Sequence, residues 1–256
     1  MTMGAVGETL FEEAMSNSAI PRYEIAEWRE KHGVLVGVTG RLEDFDLGLA
    51  GSDSMGVVMS RLRSLRQSFG PSFSSLVVGH QSHGTGIGVY PYPITGLLIT
   101  EDCDGHATAL GGMVLGVTVA DCVPVYLLDP QSPAIAILHA GWRGVAGGML
   151  ECGVRCLREL TGVAPSELLM HCGVGICGEC YEVGSEVFAA VTGRPAEGPA
   201  RLDLRSVLID QARALGLVHT TASGWCSAHD GDRFYSHRAS RGRAGRMLAY
   251  IGRPVT

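Results

Sequence analysis

Short apolar runs alternate with stretches of helical spacing along most of the chain. Residues 34–38 read as a first strand, and residues 60–69 carry Leu62, Leu65 and Phe69 on one helical face. Residues 76–78 read as a short strand that runs into His80-Gln81-Ser82-His83-Gly84. A glycine-rich, proline-bearing stretch follows through Tyr92, and residues 96–100 suit another strand. The middle is the most legible part. Met113–Val119 is a buried strand interrupted by Ala120-Asp121-Cys122, and Val123–Leu128 continues as strand. Pro124 predicts an edge or a bulge at that interruption. Residues 134–138 form a third apolar strand ending at His139. Ala140-Gly141-Trp142-Arg143-Gly144 then leads into a helix over about residues 145–160, with Leu150, Val154 and Leu157 on one face. Residues 168–170 begin a strand, 203–215 read as a helix, and 233–250 as a basic turn region ending in strand. The alternation predicts an α/β protein with mixed sheets.

Length and composition narrow the classes. At 256 residues, 46% of them hydrophobic, the chain is large enough for a proper core. The net charge of -6 argues against a nucleic-acid footprint. Lys31 is the only lysine, so arginine supplies the other positive charges. No apolar run is long enough to span a bilayer. The first twenty residues hold Glu8, Glu12 and Glu13 without a basic leader, so a flexible tail over 1–20 and a single catalytic domain over 21–256 are expected. Eight cysteines scattered through a chain of this size do not form a disulfide scaffold, which points to a reducing cytoplasm.

Three residues stand where α/β proteins tend to gather ligands: His83 and His139 at strand ends that run into glycine-bearing turns, and Cys122 at a strand interruption. Two imidazoles and one thiolate are a known catalytic zinc set with a fourth position left for water or substrate. Their spacing does not establish that they converge. Taken singly, Cys122 also reads as a small buried hydrophobe and each histidine as a hydrogen-bonded turn or core residue.

Five ordered blocks carry a resemblance across residues 33–251. They are Gln81-Ser82-His83-Gly84, Ala120-Asp121-Cys122-Val123-Pro124-Val125, His139-Ala140-Gly141-Trp142-Arg143-Gly144, Cys180-Tyr181-Glu182-Val183-Gly184 and Phe234-Tyr235-Ser236-His237-Arg238. Together they resemble the laccase-domain, or polyphenol-oxidase-like, proteins, a family also described as multifunctional purine nucleoside phosphorylases. The resemblance implies a single α/β domain of packed mixed β-sheets flanked by helices. It implies metal ligation by His83, Cys122 and His139, with zinc as the expected ion and copper as the other candidate. It also implies phosphorolysis of purine nucleosides, with adenosine deamination as a second activity, and a nucleoside and phosphate as partners. Cys122 and Arg143 are then the catalytic candidates. Arg143 and Arg238 are the substrate-binding candidates: Arg143 because a guanidinium near a helix start suits an anion, and Arg238 as a second arginine, from the last block. The surface alternative for each arginine is a simple ion pair.

The sequence departs from the family pattern in two places. The paired glycines after an arginine and a later asparagine are missing where the chain reads Thr39-Gly40-Arg41 and Asp44-Phe45-Asp46-Leu47. Gly173-Val174 replaces the usual glycine-proline. If those elements shape the nucleoside pocket, substrate preference differs while the metal site is kept.

Other constellations compete. Cys177-Gly178-Glu179-Cys180, with His171 and Cys172 upstream, reads as a second metal site or a redox pair, and a lone C-x-x-C leaves that open. Cys152 and Cys156 share a helix face and read as packing. Gly84, Gly86 and Gly88 do not make a dinucleotide fingerprint, because Val89 follows. A blue-copper centre needs two histidines, a cysteine and usually an axial methionine. Four-electron oxygen reduction would also need a histidine-rich copper cluster, and no His-x-His pair occurs. The zinc-deaminase signature is absent as well. Three further readings remain: a copper-dependent polyphenol oxidase using copper in the two-histidine, one-cysteine set, an amidohydrolase acting on a cell-wall precursor, with Cys122 as nucleophile and His139 as base, and a non-enzymatic metal-storage or partner-binding protein. The sequence leaves the oligomeric state open.

Overall fold

The computed structural model describes residues 10–11, 13–16, 18, 20–42, 45–49 and 53–255. In chain order these form β1 (Leu10–Phe11), β2 (Ala14–Met15), β3 (Arg22–Glu24), α1 (Ala26–His32), β4 (Leu35–Thr39), α2 (Met55–Ser68), β5 (Ser75–His80), β6 (Ile87–Val89), β7 (Gly96–Glu101) and β8 (Gly105–Thr108). There follow β9 (Met113–Val119), β10 (Val123–Leu128), β11 (Ile135–Ala140), α3 (Trp142–Ala146), α4 (Met149–Thr161), β12 (Leu169–Cys172), β13 (Glu182–Val183), α5 (Ser185–Thr192), β14 (Ala200–Arg201), α6 (Leu204–Ala214), β15 (His219–Ser223) and β16 (Met247–Arg253). No helix among them is long and apolar enough to cross a membrane.

Two mixed seven-stranded sheets stack face to face. Their orders are β1-β15-β12-β10-β11-β8-β6 and β2-β3-β4-β16-β9-β5-β7, and β13 and β14 form a separate two-stranded ribbon. The apolar runs are continuous because both faces of the central strands are covered. In β10, Val125 and Leu127 join a core with Leu150, Val154 and Leu157 of α4 and Leu208 of α6, while Tyr126 and Leu128 point into the core shared with the other sheet. In β9, Leu115, Val117 and Val119 enter that shared core, and Val114 turns outward onto Leu62 and Leu65 of α2. The result is four layers: helices α3–α6, sheet, sheet, and α2.

The structure corrects several expectations. The interruption at Ala120–Cys122 is a crossing between sheets, because β9 and β10 belong to different ones. Pro124 sits in an internal strand between β11 and β12, not at an edge. A proline is tolerated there because its nitrogen faces β12 beyond the last ladder pair, where its carbonyl still accepts the Gly173 N–H at 2.8 Å. The β10–β12 ladder begins only at Val125. The helix expected over 145–160 starts earlier and breaks in two at Gly147–Gly148, where Gly148 takes a φ of 83°. A left-handed residue ends the first helix and restarts the second in a new direction. Residues 34–38 are not the first strand, because three short strands precede β4.

The segment expected to be a flexible tail holds two of those strands. β1 pairs in parallel with β15, and β2 pairs with β3. Between them the buried Glu13 accepts a 2.7 Å hydrogen bond from the Ser223 hydroxyl and lies 3.2 Å from His171 Nε2. Residues 1–9, 12, 17 and 19 of that segment lie outside the described residues.

Candidate metal centre

Three chain segments converge at the ends of β5, β9 and β11. Beyond β5, Gln81 locks the loop onto β9: its Oε1 accepts the Thr118 N–H at 2.7 Å and its Nε2 donates to the Thr118 carbonyl at 2.9 Å. His83 follows with a φ of 61°, a left-handed conformation uncommon for a residue with a Cβ. Asp121, beside Cys122, is also left-handed at 86°. Such outliers persist only where the surroundings over-determine them, and they cluster at functional sites.

The donor atoms of His83, Cys122 and His139 lie within 4.8 Å of one another. The two imidazole rings are edge-to-face with centroids 5.0 Å apart. Gly141 makes the approach possible, because a Cβ there would lie 2.9 Å from Cys122 Sγ and 3.4 Å from the His83 ring. Two imidazole nitrogens and a sulfur at this separation fit a transition-metal ion with a coordination position left open.

Asp104 organises the site, and the sequence reading missed it. It is fully buried just before β8. Its carboxylate accepts from the backbone N–H groups of Ser82 (3.0 Å), His83 (3.0 Å) and Gly84 (2.8 Å) and from His139 Nδ1 (2.9 Å). Because Nδ1–H is committed to Asp104, His139 turns Nε2 toward the other two donors, an arrangement that fits a carboxylate–histidine–metal relay. Burial alone would raise the carboxyl pKa, but the bonds from His139, Gly84 and Ser82 outweigh it and hold it down to about 2. No local pattern flags Asp104; only the tertiary pairing of β8 with β11 brings it to His139.

The same neighbours polarise Cys122 and His139. Burial opposes a thiolate at Cys122, but the His139 and His83 imidazoles outweigh it and pull its pKa down to about 6. Burial opposes an imidazolium at His139, yet the Cys122 sulfur and the Asp104 carboxylate lift its pKa to about 9. Both shifts favour a thiolate at Cys122 beside an imidazolium at His139.

His83, Cys122 and His139 form part of the wall of a cleft of about 810 Å³ that also takes in Gln81, Asp121, Tyr181, Arg143 and Arg238. Arg143 is exposed, its guanidinium 4.3 Å from the centre of the Trp142 ring. It belongs to the five-residue α3, so the helix-start argument that singled it out is weak. Arg238 lies over the Tyr181 ring at 5.1 Å and donates to the Glu182 carbonyl at 2.7 Å. Its backbone N–H donates to Asp121 Oδ2 at 2.6 Å. His237, Arg243 and Arg246, from the turn region that the sequence marks as basic, complete the rim of the cleft. Asp46, in the segment that departs from the family pattern, also lines the cleft and accepts the N–H groups of Gly48 (2.8 Å) and Arg246 (2.7 Å). Those two bonds need only an acceptor oxygen, which an asparagine would also offer. Asp44 of the same segment lies outside the described residues.

The second cysteine grouping differs from expectation. His171 and Cys172 belong to β12, where His171 Nδ1 pairs with Thr221 Oγ1 at 2.8 Å and Cys172 is buried in the helix-side core. Cys177 and Cys180 are joined instead by Cys226 and His229.

Residues 30–254 match the family described as multi-copper polyphenol oxidoreductase laccase. A purine nucleoside phosphorylase of Streptomyces coelicolor is 33% identical over 216 residues, covering 82% of this chain and 88% of the relative. The adenosine deaminase RL5, from an unknown prokaryotic organism, is 32% identical over 224 residues, covering 79% and 84%. The crystal structure of YlmD from Geobacillus stearothermophilus superposes with a TM-score of 0.81 at 27% identity, covering 95% of this chain and all of that one. The stacked mixed sheets, the convergence of His83, Cys122 and His139 and the match over residues 30–254 lead to one conclusion: this chain belongs to the multi-copper polyphenol oxidoreductase laccase family.

Proposed function

We propose that the protein is a cytoplasmic, zinc-dependent purine nucleoside phosphorylase that also deaminates adenosine. The observation that carries this is the His83–Cys122–His139 donor set opening into a cleft that also holds Arg143 and Arg238. The relatives named as purine nucleoside phosphorylases and adenosine deaminase supply the substrate class.

In phosphorolysis, a phosphate oxygen bonds to the ribose C1′ as the bond from C1′ to the purine nitrogen breaks, and the departing base keeps the electron pair and takes up a proton. Arg143 and Arg238 bind and orient the phosphate dianion, because a guanidinium presents paired donors to two oxygens at once. Trp142 and Tyr181, each under one of these arginines, hold the guanidinium planes in place. Asp104 keeps His139 in one tautomer and His83 in its strained backbone conformation. When bound, zinc supplies Lewis acidity toward substrate oxygen or nitrogen, or an activated water for deamination. Copper in the same donor set would be adventitious, since a histidine-rich multinuclear cluster has no counterpart in the sequence.

The test incubates metal-quantified protein with adenosine, with and without phosphate, and measures adenine, ribose 1-phosphate and inosine. Adenine and ribose 1-phosphate are expected only with phosphate, and inosine in either case. Absence of all three products overturns the proposal. In the same assay, Arg143→Lys is expected to raise KM for phosphate about tenfold, the loss of one charge-assisted bond worth about 1.5 kcal/mol. An unchanged phosphate titration removes Arg143 from the anion site.

The thiolate–imidazolium pairing of Cys122 with His139 favours one other reading, an amidohydrolase with Cys122 as nucleophile.

A further inference from the structure

Cys177 and Cys180 lie on the loop that leaves β12, and Cys226 and His229 on the loop that leaves β15. β12 and β15 are parallel neighbours, so both loops emerge from the same end of the sheet. They continue to pair beyond it: Gly175 and Cys226 form an isolated parallel bridge, and Ser227 N donates to the Gly175 carbonyl at 3.0 Å. This zipper brings three sulfurs and one imidazole nitrogen within 4.8 Å of one another. Cys180 N donates to the Cys177 carbonyl at 3.1 Å, closing the Cys-x-x-Cys turn, and Cys177 N donates to Cys226 Sγ at 3.3 Å. His229 Nδ1 stands 3.6 Å from Cys177 Sγ.

We propose that Cys177, Cys180, Cys226 and His229 form a second, structural zinc site. Three sulfurs and one imidazole complete a closed tetrahedral set with no position for substrate. None of the four lines the catalytic cleft. Loading the site releases the three thiol protons, and the complex of three thiolates, neutral imidazole and Zn²⁺ carries one net negative charge. A Cys177–Cys180 redox pair would account for two of the four residues and leave the convergence of Cys226 and His229 without a purpose.

The site clips together the two loops that build one wall of the cleft. Next to the clipped residues, Ile176 N donates to the Asp121 carbonyl at 2.9 Å and the Ser227 hydroxyl donates to Asp121 Oδ1 at 2.7 Å. Asp121 is the left-handed residue next to Cys122, so the clip holds the peptide that aims the catalytic thiolate. Tyr181 directly follows Cys180, and Arg238 binds the same Asp121.

Zinc is counted by elemental analysis and native mass spectrometry on protein purified under reducing conditions with zinc supplied. Wild type is expected to hold about two zinc per chain, His83→Ala about one, and Cys177→Ser/Cys226→Ser about one. Cobalt added to metal-stripped His83→Ala is expected to give thiolate-to-cobalt charge-transfer absorption, which decides the matter even if the double variant fails to fold. His83→Ala protein that holds no zinc and gives no such band overturns the proposal. So does a Cys177–Cys180 disulfide found by mass spectrometry in the reduced preparation. The count in His83→Ala is read without any nucleoside, so a failed phosphorolysis assay leaves this result standing.

Discussion

Asp104→Asn is expected to weaken metal binding at His83, Cys122 and His139 by about 10- to 100-fold, the usual effect of removing the carboxylate behind a metal-bound histidine. The carboxylate fixes the His139 tautomer and raises its basicity, and an amide in its place does less of both. The cost extends to the fold. The buried carboxylate accepts three backbone N–H groups around His83 as well as the His139 ring. An asparagine must turn its NH₂ toward at least one of those donors. Held down to about 2 from an ordinary 3.8, the Asp104 carboxylate contributes roughly 2 kcal/mol to the metal-free fold at neutral pH. A folded-state pKa below the unfolded one means this contribution is complete above about 3.8 and is lost as the pH falls through about 2. The stability gap between wild type and variant should therefore close across that window. Chelator competition gives the metal affinity, and urea unfolding at pH 7 and at pH 2 gives the gap. Equal metal affinity for the two proteins would remove Asp104 from its supporting role.

Where local pattern and tertiary environment agree, the fold was legible. β9, β10 and β11 announce themselves as apolar runs because they are buried on both faces. α6 carries Asp203 at its start, whose side chain accepts the N–H groups of Arg205 and Ser206. The short strands were not legible. β1, β2, β13 and β14 are two residues each, too few for a period to register, and they exist because a distant partner is in place. Glu13 shows the same limit, since its polar partners Ser223 and His171 lie far along the chain. At the metal centre, His83, Cys122 and His139 were identified through resemblance to a family, not through spacing. Their convergence depends on two sheet crossings that no local pattern encodes. The C-x-x-C was visible, but its true companions, Cys226 and His229, lie on a loop that only the parallel pairing of β12 with β15 brings near.

Cys122 separates the metalloenzyme from the cysteine hydrolase most sharply. In a metalloenzyme its thiolate is bound and largely neutralised, so it should alkylate slowly in the loaded protein. Chelation should expose it, and labelling and loss of turnover should then advance together. The metal-free protein adds a pH signature. With the Cys122 pKa pulled down to about 6, labelling of the chelated protein should fall about tenfold between pH 7 and pH 5. An unperturbed thiol would instead label faster and faster beyond pH 8. Cys122→Ser should lose the metal at this site, because a hydroxyl does not replace a thiolate in a set of two imidazoles and a sulfur. At metal concentrations about 100 times the dissociation constant, that loss also removes roughly 2.7 kcal/mol of stability. His83→Ala should lose metal and turnover alike, although His83 has no part in a Cys–His dyad. The measurements are zinc content, nucleoside turnover and alkylation rate for wild type and both variants. If His83→Ala retains full turnover while Cys122 labels rapidly in untreated protein, the metal reading fails and Cys122 is a nucleophile served by His139.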